Sequence, residues 1–161
     1  MSKLIFVILL TALFSIVATA QGSEHRGQGY AFVAPGGFTE GGSTLHFGVG
    51  GEGFVYKGLG VGGEIGYLGA TRSLGEGFGV LSPNVSYHFL NASKSGKFVP
   101  FVTGGYTLLF RSGTANAFNV GGGVNYWFKE RVGLRFEVRH HVPTYTDLTG
   151  FYGIRIGLAF R

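Results

Sequence analysis

Phe118-Asn119-Val120-Gly121-Gly122-Gly123-Val124-Asn125-Tyr126-Trp127-Phe128 decides the fold. Phe118, Val120, Val124, Tyr126 and Phe128 fall on one side of an extended chain, and Asn119, Gly121, Gly123 and Asn125 on the other. Successive strand side chains point to opposite faces, so a period of two builds one apolar and one polar surface. The polar surface here is not the charged surface of a water-facing sheet. It is mostly glycine with isolated amides, which suits the crowded inside of a narrow barrel. The glycine run is not a phosphate loop, because it lies within a strand with no helix after it.

The same period recurs on both sides of this stretch. Downstream, Val132, Leu134, Phe136 and Val138 alternate with Arg135, Glu137 and Arg139, and Tyr152, Ile154, Ile156, Leu158 and Phe160 alternate with Gly153, Arg155, Gly157 and Ala159. Upstream, Leu81, Val85, Tyr87 and Phe89 oppose Ser82, Asn84, Ser86 and His88. Leu59, Val61, Ile65 and Tyr67 oppose Glu64, and Leu45, Phe47, Val49 and Val55 oppose His46 and Glu52. A strand over 29–34 puts Tyr30 and Phe32 together on one face, and a fifth strand over 97–109 has faces that are hard to separate. The spacing therefore predicts eight strands.

The apolar face is a nearly unbroken set of Val, Leu, Ile, Phe and Tyr, which suits lipid. A soluble barrel has the reverse polarity, with large apolar side chains inside. Inside a bilayer every backbone polar group needs a partner within the protein, so only helices and closed barrels cross it. A tilted strand of about 9 to 11 residues is long enough. The expected fold is all-β, an eight-stranded antiparallel transmembrane up-and-down barrel. Short reversals at Lys57-Gly58 and Lys129-Glu130-Arg131 alternate with longer connections at 35–43, 69–77 and 140–150. Asn91 to Gly96 is a polar turn and Arg111 to Asn116 a loop. Transmembrane barrels have short periplasmic turns and longer outer loops. Aromatics near strand ends, as at Tyr87-His88-Phe89, Tyr126-Trp127-Phe128 and Phe151-Tyr152, fit an interfacial girdle.

Composition agrees. Only 13% of residues are charged, against about 25% in soluble domains. The 31 glycines could indicate disorder, but 45% of residues are hydrophobic and 16% aromatic, and disordered chains lack both. The formal charge of +5 is spread along the chain. It reads as a mildly basic solvated surface or as attraction to anionic lipid headgroups. With no basic patch, nucleic acid is not an expected partner. There is no cysteine, so disulfides do not hold the domain.

The N-terminus has the three-part layout of a secretory signal: Lys3, an apolar run over 4–17, and Ala18-Thr19-Ala20. A permanent membrane helix is the alternative, but it needs about 20 apolar residues. The expected organisation is a signal peptide over 1–20 cleaved after Ala20, a short segment over 21–28, and the barrel over 29–161.

Glu52, Glu64, Arg135, Glu137, Arg139 and Arg155 all fall on the expected inner face. They read as an ion-pair network filling the lumen, since buried charges are tolerated when paired; a gate is the alternative. Glu52 and Glu64 as an acid–base pair have no other support in the sequence. His140 and His141 could hold a metal with His46 or Asp147, but adjacent strand residues point apart, so a solvated loop is expected and no metal or other cofactor. His88 beside Ser86 has no specified third residue for a hydrolase, so no catalytic residue is expected. Arg72, Arg111, His140 and His141 are the candidate loop contacts for anionic sugars or phosphates.

Val132-Gly133-Leu134-Arg135-Phe136-Glu137-Val138-Arg139 resembles the penultimate strand of small eight-stranded outer-membrane barrels of the OmpA/OmpX type. Val99-Pro100-Phe101 with Gly104-Gly105-Tyr106 is similar to their fifth strand, and Ile154 to Phe160 to their terminal strand. Here Arg161 follows the terminal aromatic. The resemblance covers the mature chain. It implies a bacterial outer-membrane location, contact with outer-membrane lipid and lipopolysaccharide, and recognition of the last strand by the barrel assembly machinery. Three functions are compatible: a structural, surface-interaction or adhesion protein, a narrow pore for ions or small solutes, and a lipid-modifying enzyme. A secreted soluble barrel binding an apolar ligand is a further alternative. The first is expected, with the surface ligand open.

Overall fold

The computed structural model describes residues 27–93, 95–145 and 149–161. The expected signal peptide and its cleavage site lie outside the described residues. Eight antiparallel strands close into one barrel in chain order. They are β1 (Gly27–Phe38), β2 (Ser43–Tyr56), β3 (Leu59–Ala70), β4 (Phe78–His88), β5 (Phe98–Phe110), β6 (Thr114–Trp127), β7 (Val132–Pro143) and β8 (Phe151–Phe160), with one 3₁₀ turn at Leu74–Glu76. The seam closes by pairing β1 with β8, from Gly29 opposite Phe160 to Phe38 opposite Phe151.

Side-chain direction follows the alternation. Val49, Val61, Ile65, Val85, Val102, Val120, Val138 and Ile154 lie along the outer wall, each about half exposed. Such a belt is far larger than the apolar patches soluble proteins show. The buried set is predominantly polar: His46, Glu64, Ser82, Asn84, Ser86, His88, Thr107, Asn119, Asn125, Arg135, Glu137, Arg139, His141 and Arg155. This is a water-soluble protein turned inside out.

Tyr30 and Phe32 share one face, as their spacing predicts, and that face is the lumen, where they are 6% and 7% exposed. Two expectations need correction. Residues 140–143 belong to β7, so His140 and His141 are strand residues. The longer rim is also not as expected, because strands extend into the predicted loops. The connections at the two ends are 39–42, 71–77, 111–113 and 144–150 at one, and 57–58, 89–97 and 128–131 at the other. At Pro35-Gly36-Gly37 the turn signal is overridden. A Cβ on Gly36 would collide with the Tyr152 carbonyl, so glycine there lets β8 approach and the strand continue. Pairing is interrupted at two prolines, between Val33 and Gly36 on the seam and between Leu81 and Asn84 against β5. Proline has no N–H to give a ladder. The turn at Lys57-Gly58 holds Gly58 at φ 87°, a conformation that glycine adopts without steric cost.

Candidate functional site in the barrel lumen

Alternation along β7 sets Arg135, Glu137, Arg139 and His141 in one inward column. β2 supplies Glu52 and His46, β3 supplies Glu64, and β8 supplies Arg155. Closure brings the six predicted lumen charges together. Arg135 donates through Nε to Glu137 Oε2 at 3.2 Å and through Nη1 to Glu52 Oε1 at 3.4 Å. Arg139 Nε pairs with Glu137, and its Nη1 donates to Glu64 Oε2 at 3.0 Å. Arg155 Nη1 lies 2.9 Å from Glu64 Oε1 and 3.5 Å from Glu137 Oε1. Three carboxylates face three guanidinium groups, and no side chain of the six is more than 5% exposed. The charges balance, which low-dielectric surroundings require of buried ions.

Neutral side chains complete the shell. Tyr30 donates its hydroxyl to Glu64 Oε1 at 2.8 Å, and Gln28 donates to Glu52 Oε1 at 2.6 Å. Ser86 donates to Glu52 Oε2, and His88 Nε2 lies 3.1 Å from that same oxygen. The Arg135 guanidinium is sandwiched between the rings of Phe101 at 3.8 Å and Tyr30 at 4.3 Å, and Arg155 lies 4.0 Å over Phe32. A cation over a desolvated aromatic face gains about 2 kcal/mol or more, which accounts for the inward placement of Tyr30 and Phe32. Glycine makes the space. A Cβ on Gly50 would lie 2.7 Å from the Tyr30 ring and 2.8 Å from Glu64 Cγ.

The wall made by β4, β5 and β6 is different. It carries Ser82, Asn84, Thr103, Thr107, Asn119 and Asn125. Thr107 Oγ1 gathers Ser82 Oγ at 2.9 Å, the Asn119 amide at 3.0 Å and His141 Nδ1 at 3.1 Å. Asn84 Oδ1, Asn119 Oδ1 and Asn125 Oδ1 are buried without a partner within the protein, as are Arg139 Nη2 and Arg155 Nη2. Buried apolar side chains lie toward both ends. Val99, Trp127 and Ala159 belong to one cluster, which continues along β1 through Tyr30, Phe32 and Ala34. Leu68, Val80 and Phe151, backed by Phe38 and Leu109, form the other.

The remaining candidates separate. His141 is 1% exposed and stacks on Phe151 at 4.1 Å, so it is not a surface contact. His140, one residue earlier, faces outward and is exposed. The His46 and His141 rings approach to 6.2 Å, but among the described residues no third ligand joins them. Asp147 lies outside the described residues. Ser86 and His88 both contact Glu52, which puts the acid where a hydrolase needs its base. Arg72 is exposed on the 71–77 connection, and Arg111 Nη1 donates to the Glu76 carbonyl at 2.8 Å.

Sequence reasoning missed Gln28, Tyr30, Phe32, Phe101 and Thr107 as lumen partners. Gln28 lies outside the strand expected over 29–34, and only the β1–β2 register, Gln28 opposite Glu52, identifies its face as the ionic one.

No described protein family matches the chain, and no curated protein does. Solved structures do. The N-terminal β-barrel domain of Pseudomonas aeruginosa OprF superposes with a TM-score of 0.65 at 14% identity, covering 86% of this chain and 98% of that one. Neisserial surface protein A gives 0.60 at 16%, covering 83% and 94%. The outer membrane enzyme PagL gives 0.56 at 16%, covering 82% and 99%. At such identities the likeness concerns the fold. With an apolar outer wall and a polar, filled lumen, the chain has the fold of a small eight-stranded outer-membrane β-barrel, structurally like the OprF N-terminal barrel and NspA.

Proposed function

We propose that the protein is an integral bacterial outer-membrane barrel with a structural role and a closed lumen, exported by a signal peptide cleaved after Ala20. The observation that carries this reading is the charge-balanced network of Glu52, Glu64, Glu137, Arg135, Arg139 and Arg155, which crosses the lumen between two apolar ends. Assembly through β8 and contact with lipid and lipopolysaccharide follow from the same reading. Adhesion through the loops has less support. Of the four candidate contacts His141 is buried and His140 lies on the strand wall, which leaves Arg72 and Arg111 on the connections. An enzymatic role finds no support at His140, whose register partners are Val120 and Tyr152.

The test is single-channel conductance of the refolded protein in a planar bilayer, with folding verified by a heat-dependent gel shift. Silence from the folded wild type is expected. Arg135→Ala removes the group held between Tyr30 and Phe101, and discrete ion leakage is expected from that variant. Steady wild-type conductance overturns the closed lumen. One observation favours the second reading, a narrow pore: the unpartnered amide oxygens of Asn84, Asn119 and Asn125 make one wall hydratable.

A further inference from the structure

Charges that look dispersed in sequence are segregated by the fold. The six lumen charges cancel, which leaves the rims. At the end carrying both Gly27 and Arg161, the exposed cations among the described residues are Lys57, Lys97, Lys129 and Arg131, and the exposed anion is Glu130. Arg161 is turned back onto the barrel, with Nε on the Glu130 carbonyl at 2.8 Å and its guanidinium 4.3 Å over Trp127. At the opposite end Arg72 and Arg111 are matched by Glu40 and Glu76 among the described residues. Among the described residues one rim is basic and the other close to neutral.

The basic groups are not gathered in one patch. They sit on three separate connections, 57–58, 89–97 and 128–131, and so are distributed around the circumference. Just inside them the outer wall is aromatic, with Tyr56, Tyr87, Phe98 and Phe128 all exposed. Lys57 Nζ lies 5.7 Å from the Tyr56 ring centroid. Aromatic girdles mark the depth of the headgroups, and a lysine beside one carries its ammonium to the level of the phosphates.

We infer that this rim binds anionic phospholipid headgroups through Lys57, Lys97, Lys129 and Arg131. The inference rests on the reading of the chain as membrane-spanning. A ring of separated cations fits several small phosphodiester anions, one at each turn. An acidic protein would need them on one contiguous face. The bound leaflet is therefore the one at the end of the barrel that holds both chain termini.

The experiment uses the protein refolded into phosphatidylcholine bilayers containing a minority of phosphatidylglycerol, with spin-labelled lipids reporting the composition of the boundary shell. Phosphatidylglycerol is expected to be enriched around the wild type at low salt, and the enrichment to fall at high salt as the charges are screened. Lys57→Gln, Lys97→Gln, Lys129→Gln and Arg131→Gln combined should abolish it, each charge contributing up to about fivefold. Arg72→Gln with Arg111→Gln should leave it intact. No enrichment around folded wild type, as an acidic protein partner would predict, overturns the inference; so does equal loss in the Arg72/Arg111 pair. A heat-dependent gel shift reports insertion separately. Failure to insert into either bilayer overturns the membrane-spanning reading and the inference with it.

Discussion

The two walls of the lumen solve the same problem in opposite ways. Around β7, β8 and β1–β3 the interior is filled by long charged side chains stacked on aromatic rings. Around β4–β6 it is filled by short amides and hydroxyls with glycines between them. The ionic wall is cooperative. Each carboxylate there serves at least two partners, so removing one strands a buried charge elsewhere. The small polar wall is a set of local hydrogen bonds centred on Thr107, and each loss stays local. Buried pairs are therefore poor evidence of added stability, while breaking one is costly.

The sharpest way to break this contrast is Glu64→Ala. It leaves Arg139 and Arg155 with Glu137 as their one remaining carboxylate and Tyr30 without its acceptor. A loss of about 3–5 kcal/mol is expected in urea refolding titrations. A loss below that of a single hydrogen bond would show that the ionic wall is not cooperative. Next in size is Val120→Arg on β6, on the back of the tolerant wall and 60% exposed toward the expected lipid. An arginine near mid-bilayer costs about 2–4 kcal/mol, so unchanged stability in the same titration would remove the membrane-facing assignment. The smallest effect belongs to Asn119→Ala. It removes one donor to Thr107 along with an amide oxygen that has no partner in the protein. About 1 kcal/mol is expected, and a loss as large as that for Glu64→Ala would erase the difference between the walls.

How far the sequence was readable follows the same division. On β6 and β8 the alternation is complete and both faces were assigned from it, as were the six lumen charges, whose parity sets them against Val, Ile and Phe. The spacing pairs Tyr30 with Phe32 but does not say which face they share, because an aromatic ring suits lipid and a guanidinium face equally well. The deciding partners, Arg135 and Arg155, are more than a hundred residues away in the chain. His140-His141-Val142-Pro143 interrupts the apolar alternation and reads as loop, although the backbone pairs with β6 as far as Pro143. The basic rim could not be seen at all. Lys57, Lys97, Lys129 and Arg131 meet at one end only because an even number of reversals returns them there.

Glu64 Oε1 accepts from Tyr30 of β1 at 2.8 Å and from Arg155 of β8 at 2.9 Å. Those are the two strands of the seam, and their own ladder is interrupted beside Pro35. One oxygen on a third strand therefore acts as a clasp for a joint whose backbone stitching is interrupted. Parting β1 from β8 along its length must take a tyrosine or an arginine from its buried acceptor. Mechanically, the cylinder is latched from within, and an opening at this edge is governed by a side chain that belongs to neither of the strands it holds together.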